Sequence, residues 1–194
     1  SIAVGYGFTN IGSFGASVMM MDNGEIPRTI PDASRQGFHQ EGTFGVTQFA
    51  LGVGYARQIS ERFAIGGHVK YVYQDLGPTD ITMLVGSQQY DTLRNVRNDC
   101  GVVAMDFGTI YYPGFKDLRI AMSFRNFSTK VRYAYDDFQL PVVLRVGIAM
   151  NVLAALADVE GHSLQMGVEV AHPNDYSDRV FLGGEYSFQD FFHV

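Results

Sequence analysis

The chain has 194 residues and a formal net charge of −6, and 18% of its residues are charged, against roughly 25% in soluble domains. A phosphate-binding surface needs a basic excess, so no nucleic-acid partner is expected. No stretch approaches the ~18 to 20 apolar residues of a membrane-crossing helix, Cys100 alone cannot form an internal disulfide, and 22 Gly with 13% aromatic residues suit strands and turns.

Ser1 opens directly into the strand-like SIAVGYGF with no initiating Met and no signal peptide, from which a processed or incomplete chain is expected. Period-two alternation then predicts nine strands: Ser1 to Phe8, Ser13 to Met21, Gln48 to Ala56, Arg62 to Gln74, Val102 to Tyr111, Asp117 to Phe127, Val142 to Asn151, Ser163 to Ala171 and Val180 to Gln189. A tenth is expected from Phe191. At ~3.3 Å per residue and a tilt of ~40°, segments of this length rise about 25 Å, the height of the apolar band of an outer-membrane barrel.

Each strand has two unlike faces. One carries Val4 and Tyr6, Leu51 and Val53, Val69 and Tyr71, Ile120 and Met122, Val146 and Ile148, Met166 and Val168, and it contains no charge. The other mixes Gly and Ala with His68, Lys70, Asp106, Arg119, Arg125, Arg145, Glu169 and Glu185. Glycine weakens a strand that faces water and marks close approach of other groups, so this second face reads as a crowded lumen. Its cations are expected to pair with its carboxylates, because charges in a narrow interior need partners.

The connections alternate in length. Thr9 to Gly12, Arg57 to Glu61 and Tyr112 to Lys116 are short, whereas Asp22 to Thr47, Asp75 to Gly101 and Ser128 to Pro141 are longer. Short periplasmic turns and long extracellular loops give this alternation in an up-and-down barrel. Val152 to His162 and His172 to Arg179 depart from it. Tyr6, Tyr55, Tyr71, Tyr73, Tyr111, Tyr112 and Tyr186 lie near strand ends, as interfacial girdle residues do.

Four runs, Tyr55 to Gly77 (YARQISERFAIGGHVKYVYQDLG), Asp106 to Phe127 (DFGTIYYPGFKDLRIAMSFRNF), Leu140 to Met150 (LPVVLRVGIAM) and His172 to Phe188 (HPNDYSDRVFLGGEYSF), resemble the PorV/PorQ family of outer-membrane barrels with a FadL-like fold. The resemblance implies an all-β, antiparallel up-and-down transmembrane barrel of about fourteen strands, about ten of them in residues 1–194. It also implies a type IX secretion role. Characterised members shuttle cargo from the translocon to a surface complex, so a translocon or secreted cargo is the expected protein partner and outer-membrane lipid the surroundings.

Motifs for chemistry are sparse. Gly5, Gly7 and Gly12 come near a dinucleotide fingerprint, but no helical pattern follows. His172, Asp175 and Asp178 share one loop and are a weak candidate for a cation, set against an ordinary Pro-Asn-Asp turn. Ser123 stands between Arg119 and Arg125, and guanidinium groups cannot act as a base at neutral pH. No enzyme activity and no cofactor are therefore expected. The alternatives to a binding and shuttle barrel are a FadL-like transporter of hydrophobic small molecules and a structural barrel of a surface assembly.

Overall fold

The computed structural model describes residues 1–32, 37–85, 89–133, 136–156, 160–189 and 192–193. Alternating, β-branched and aromatic stretches form twelve strands: β1 (Ile2–Phe8), β2 (Gly12–Asp32), β3 (Gly37–Ser60), β4 (Phe63–Val85), β5 (Gln89–Tyr111), β6 (Arg119–Ser128), β7 (Val131–Tyr133), β8 (Asp136–Phe138), β9 (Val143–Asn151), β10 (His162–Pro173), β11 (Arg179–Phe188) and β12 (Phe192–His193). One short helix, α1 (Val152–Leu156), joins β9 to β10. Ten strands make a single antiparallel sheet in the order β1-β2-β3-β4-β5-β6-β9-β10-β11-β12. The small β7/β8 hairpin is separate and occupies the connection between β6 and β9. The chain is thus all-β and antiparallel, and each long strand pairs with its neighbour in sequence.

Two connections differ from expectation. Residues 22–47 and 75–101, expected as loops, continue β2 into β3 and β4 into β5 as paired ribbons, up to Asp32↔Gly37 and Val85↔Gln89. Their alternation is hidden by Gly, Pro and polar residues and by bulges at Asp22/Glu25, Pro27/Thr29, Asp75/Pro78 and Thr79/Ile81. The strands accordingly reach 21 to 24 residues.

The ribbons begin along one line across the sheet. Asp22 pairs with Thr47, Thr47 with Asp75, and Asp75 with Asp99. Beyond that line β3 no longer pairs with β4, and the sheet divides into two two-stranded ribbons. The same device starts each. Asp22 Oδ1 accepts from Gly24 N at 2.9 Å and Asp75 Oδ1 from Gly77 N at 2.8 Å, while φ is 72° at Gly24 and 78° at Gly77. An Asp-x-Gly turn of this kind supplies the local hydrogen bond and the left-handed glycine that a bulge requires.

No second layer of described residues packs on the sheet. Among the described residues only Val46, Val102, Ala104, Val131 and Ala171 are buried apolar side chains. The uncharged face lies open: Val4 is 68% exposed, Val53 63%, Ile148 50% and Leu182 79%. Two groups of aromatic side chains bracket it. Phe8, Phe14 and Tyr55 pack together near the β1/β2 turn, where Tyr55 Oη donates to Ile11 O at 2.6 Å. Phe49 packs against Tyr71 and Tyr73 just below the line where the ribbons begin. Along β2 the six-residue interval from Phe14 to Met20, which faces Phe49, corresponds to about 20 Å at the usual strand rise.

Candidate functional site

The ion-bearing face is built in rows by the strand register. One row runs Gly5, Gly15, Gly54, His68, Asp106, and the next runs Ala3, Ser17, Gly52, Lys70, Ala104. Glycines at positions 52 and 54 leave β3 bare on this side. The imidazole of His68 lies across that strand, so that a Cβ at position 52 would stand 2.3 Å from His68 Nε2. The ring thereby reaches Ser17 on β2, with Oγ to Nε2 at 3.3 Å. Its other nitrogen faces Asp106, with Nδ1 to Oδ2 at 3.4 Å.

Asp106 is the centre of the cluster. Lys70 Nζ donates to its two oxygens at 2.9 and 2.8 Å and to Asn126 Oδ1 at 2.7 Å. The backbone N–H of Asn126 donates to Asp106 Oδ1 at 2.7 Å. That bond exists because the β5/β6 ladder is bulged here: Met105 faces Phe127 and Phe107 faces Phe124, so Arg125 and Asn126 together oppose the one residue Asp106. Asn126 takes a φ of 63°, and its side-chain amide donates to Pro141 O at 2.8 Å. A bulge that turns a backbone donor toward a carboxylate is a common way of fixing a polar site.

The remaining charges form a second group on β6, β9 and β10. Arg145 Nη1 meets Glu169 Oε1 at 3.0 Å. Arg119 donates to the neutral Gln165 at 2.5 Å rather than to a carboxylate. Among the described residues Arg125 has neither an ion pair nor a hydrogen bond, and Glu185 stands opposite Gln165 in the register. The expected pairing of cations with carboxylates thus forms at Lys70 with Asp106 and at Arg145 with Glu169. A groove of about 720 Å³ runs between the two groups, lined from β2 through β10 by His68, Asp106, Arg125, Arg145 and a series of Gly and Ala positions.

His172 and Asp178 form a pair, with Nδ1 to Oδ1 at 2.5 Å, on the exposed turn after β10. Among the described residues no three His, Cys, Asp or Glu side chains converge as a metal ion needs. The candidate triad of His172, Asp175 and Asp178 is thus a pair that closes a turn. Ser17 was not among the sequence candidates. The signal that points to Ser17 is positional: a serine on the ion-bearing face, one strand away from two glycines on that face, with a histidine beyond them.

No family model and no curated protein matches this chain.

Proposed function

We propose that the sheet is the wall of an outer-membrane β-barrel of the PorV/PorQ type, and that its two β-ribbons receive protein partners in secretion. The membrane part of this reading is carried by one observation: a continuous, uncharged and largely exposed face on a sheet with no second layer among the described residues. In water such a face would have to be buried against another layer, whereas hydrocarbon covers it at no cost. The two aromatic groups then sit at the interfaces, where Tyr and Phe are favoured. The edge strands of the sheet, β1 and β12, need pairing partners in lipid, because unpaired backbone groups there cost several kcal/mol each.

The secretion part rests on the PorV/PorQ resemblance and on the ribbons, which extend roughly 30 Å past the Asp22–Thr47–Asp75–Asp99 line at ~3.3 Å per residue. Recognition by such surfaces needs no chemical step. The groove favours a second reading, a FadL-like transporter, since its small side chains leave room for a hydrophobic molecule. Affinity purification of the intact protein under mild detergent, beside variants lacking residues 25–45 or 78–97, separates the two. Recovery of a translocon or a secreted cargo by the intact protein, lost with the ribbons, is the expected result. Recovery of neither by any form, together with lipid-like molecules retained in the groove, would favour transport.

A further inference from the structure

We infer that Ser17, His68 and Asp106 form a nucleophile–base–carboxylate triad that cleaves an acyl ester on the ion-bearing face. This goes beyond the secretion reading and does not depend on it, because it uses no residue of the ribbons. Three conditions define such a site: a hydroxyl within reach of one imidazole nitrogen, a carboxylate on the other, and a cavity beside them. Ser17 Oγ stands 3.3 Å from His68 Nε2, and His68 Nδ1 stands 3.4 Å from Asp106 Oδ2. Contacts of this length in an unliganded site shorten when substrate closes on them.

The surroundings support more than packing. Gly52 is the reason the ring can cross β3, since any side chain there would displace Nε2 from Ser17. Lys70 donates to both oxygens of Asp106 and the backbone N–H of Asn126 to Oδ1, so that the carboxylate is oriented before substrate arrives. His68 and Asp106 line the groove, Ser17 lies one hydrogen bond from it through His68, and the Gly and Ala positions along the groove leave room for an alkyl chain. An ester with an apolar acyl group is therefore the substrate class.

The reaction balances without a cofactor. Ser17 Oγ attacks the ester carbonyl while its proton passes to His68 Nε2, and Asp106 holds Nδ1–H. The bond to the alcohol oxygen breaks as Nε2 returns the proton to it. Water then gives a proton to the same nitrogen and attacks the acyl-serine, and that proton returns to Ser17. One ester and one water become one acid and one alcohol.

The test uses the full chain, refolded in detergent micelles, with a fluorophosphonate probe and p-nitrophenyl octanoate. The expected result is a phosphonyl adduct on the peptide containing Ser17 and turnover of the ester. Ser17→Ala and His68→Gln should each lower turnover by about 100-fold or more, while Ser163→Ala, away from the triad, keeps it. Asp106→Asn should keep Ser17 in place but lower turnover and change its pH profile, which a packing role would not do. Circular dichroism confirms that each variant retains its sheet. No adduct at Ser17 on folded protein, or equal turnover by Ser17→Ala, overturns the assignment.

Discussion

Position 52 has no side chain, and the His68 ring occupies the space that one would take. Single residues of this kind decide which charges on the ion-bearing face matter for stability. Lys70 and Asp106 are mostly shielded, with side chains 14% and 17% exposed, whereas Arg145 and Glu169 are 40% and 39% exposed. Removing one member of a shielded pair leaves the other desolvated without compensation, and an open pair contributes little. Asp106→Ala should therefore cost about 2–4 kcal/mol and Arg145→Ala less than about 1 kcal/mol, measured by guanidinium unfolding from lipid vesicles. Equal costs would mean that the first cluster is as wet as the second. That His68, Lys70 and Asp106 share one face of the sheet was legible from alternation alone. Their partners were not, because Asn126 reaches Asp106 only through a bulge and Ser17 meets His68 only diagonally across a bare strand.

Elements were legible where both faces keep a strict period of two. The body of each of the nine expected strands is present in the sheet, and the expected tenth corresponds to β12, although its proposed start at Phe191 lies outside the described residues. The ribbons carry no hydrophobic alternation to mark them, because Gly, Pro and polar residues interrupt it and bulges break their register. Their stability should hang on the two Asp-x-Gly turns. A Cβ at Gly77 would stand 2.9 Å from Phe44 Cδ2 on the neighbouring ribbon, whereas Gly24 has nothing within 4 Å. Gly77→Val combines that clash with left-handed strain and should cost about 1–3 kcal/mol. Limited proteolysis should then cut between Pro78 and Arg97 faster than in Gly24→Val, with the body of the sheet left intact.

The β7/β8 hairpin offers a pH-dependent element outside the sheet. Arg132 Nε donates to Asp137 Oδ1 at 2.7 Å, and this hydrogen bond, with the charge of Arg132, holds the Asp137 carboxyl below its ordinary range. A carboxyl depressed in the folded state stabilises it above the unfolded value, near ~4, and that stabilisation is lost as pH falls through the folded value. The amide of Arg132 should exchange faster, relative to its intrinsic rate, below about pH 4 than at neutral pH. Arg132→Ala should abolish the difference, and high salt should weaken it because the pair is exposed.

At the scale of the whole molecule, one fact organises the rest: the charges and the small residues share one side of the sheet, and most of the open apolar side chains share the other. An up-and-down antiparallel order follows from the short turns, and it was legible in the alternation of connection lengths. Spin labels read these two sides most directly. In a Cys100→Ser background, single cysteines at Val53, Val168 and Leu182 sample the uncharged side, and cysteines at Ala121 and Gly183 sample the other. In lipid vesicles the first set should be open to dissolved oxygen and shielded from a water-soluble nickel chelate, with the reverse for the second. Labels at Val53, Val168 and Leu182 that respond to the nickel chelate, or that are immobilised by protein packing, would contradict the account.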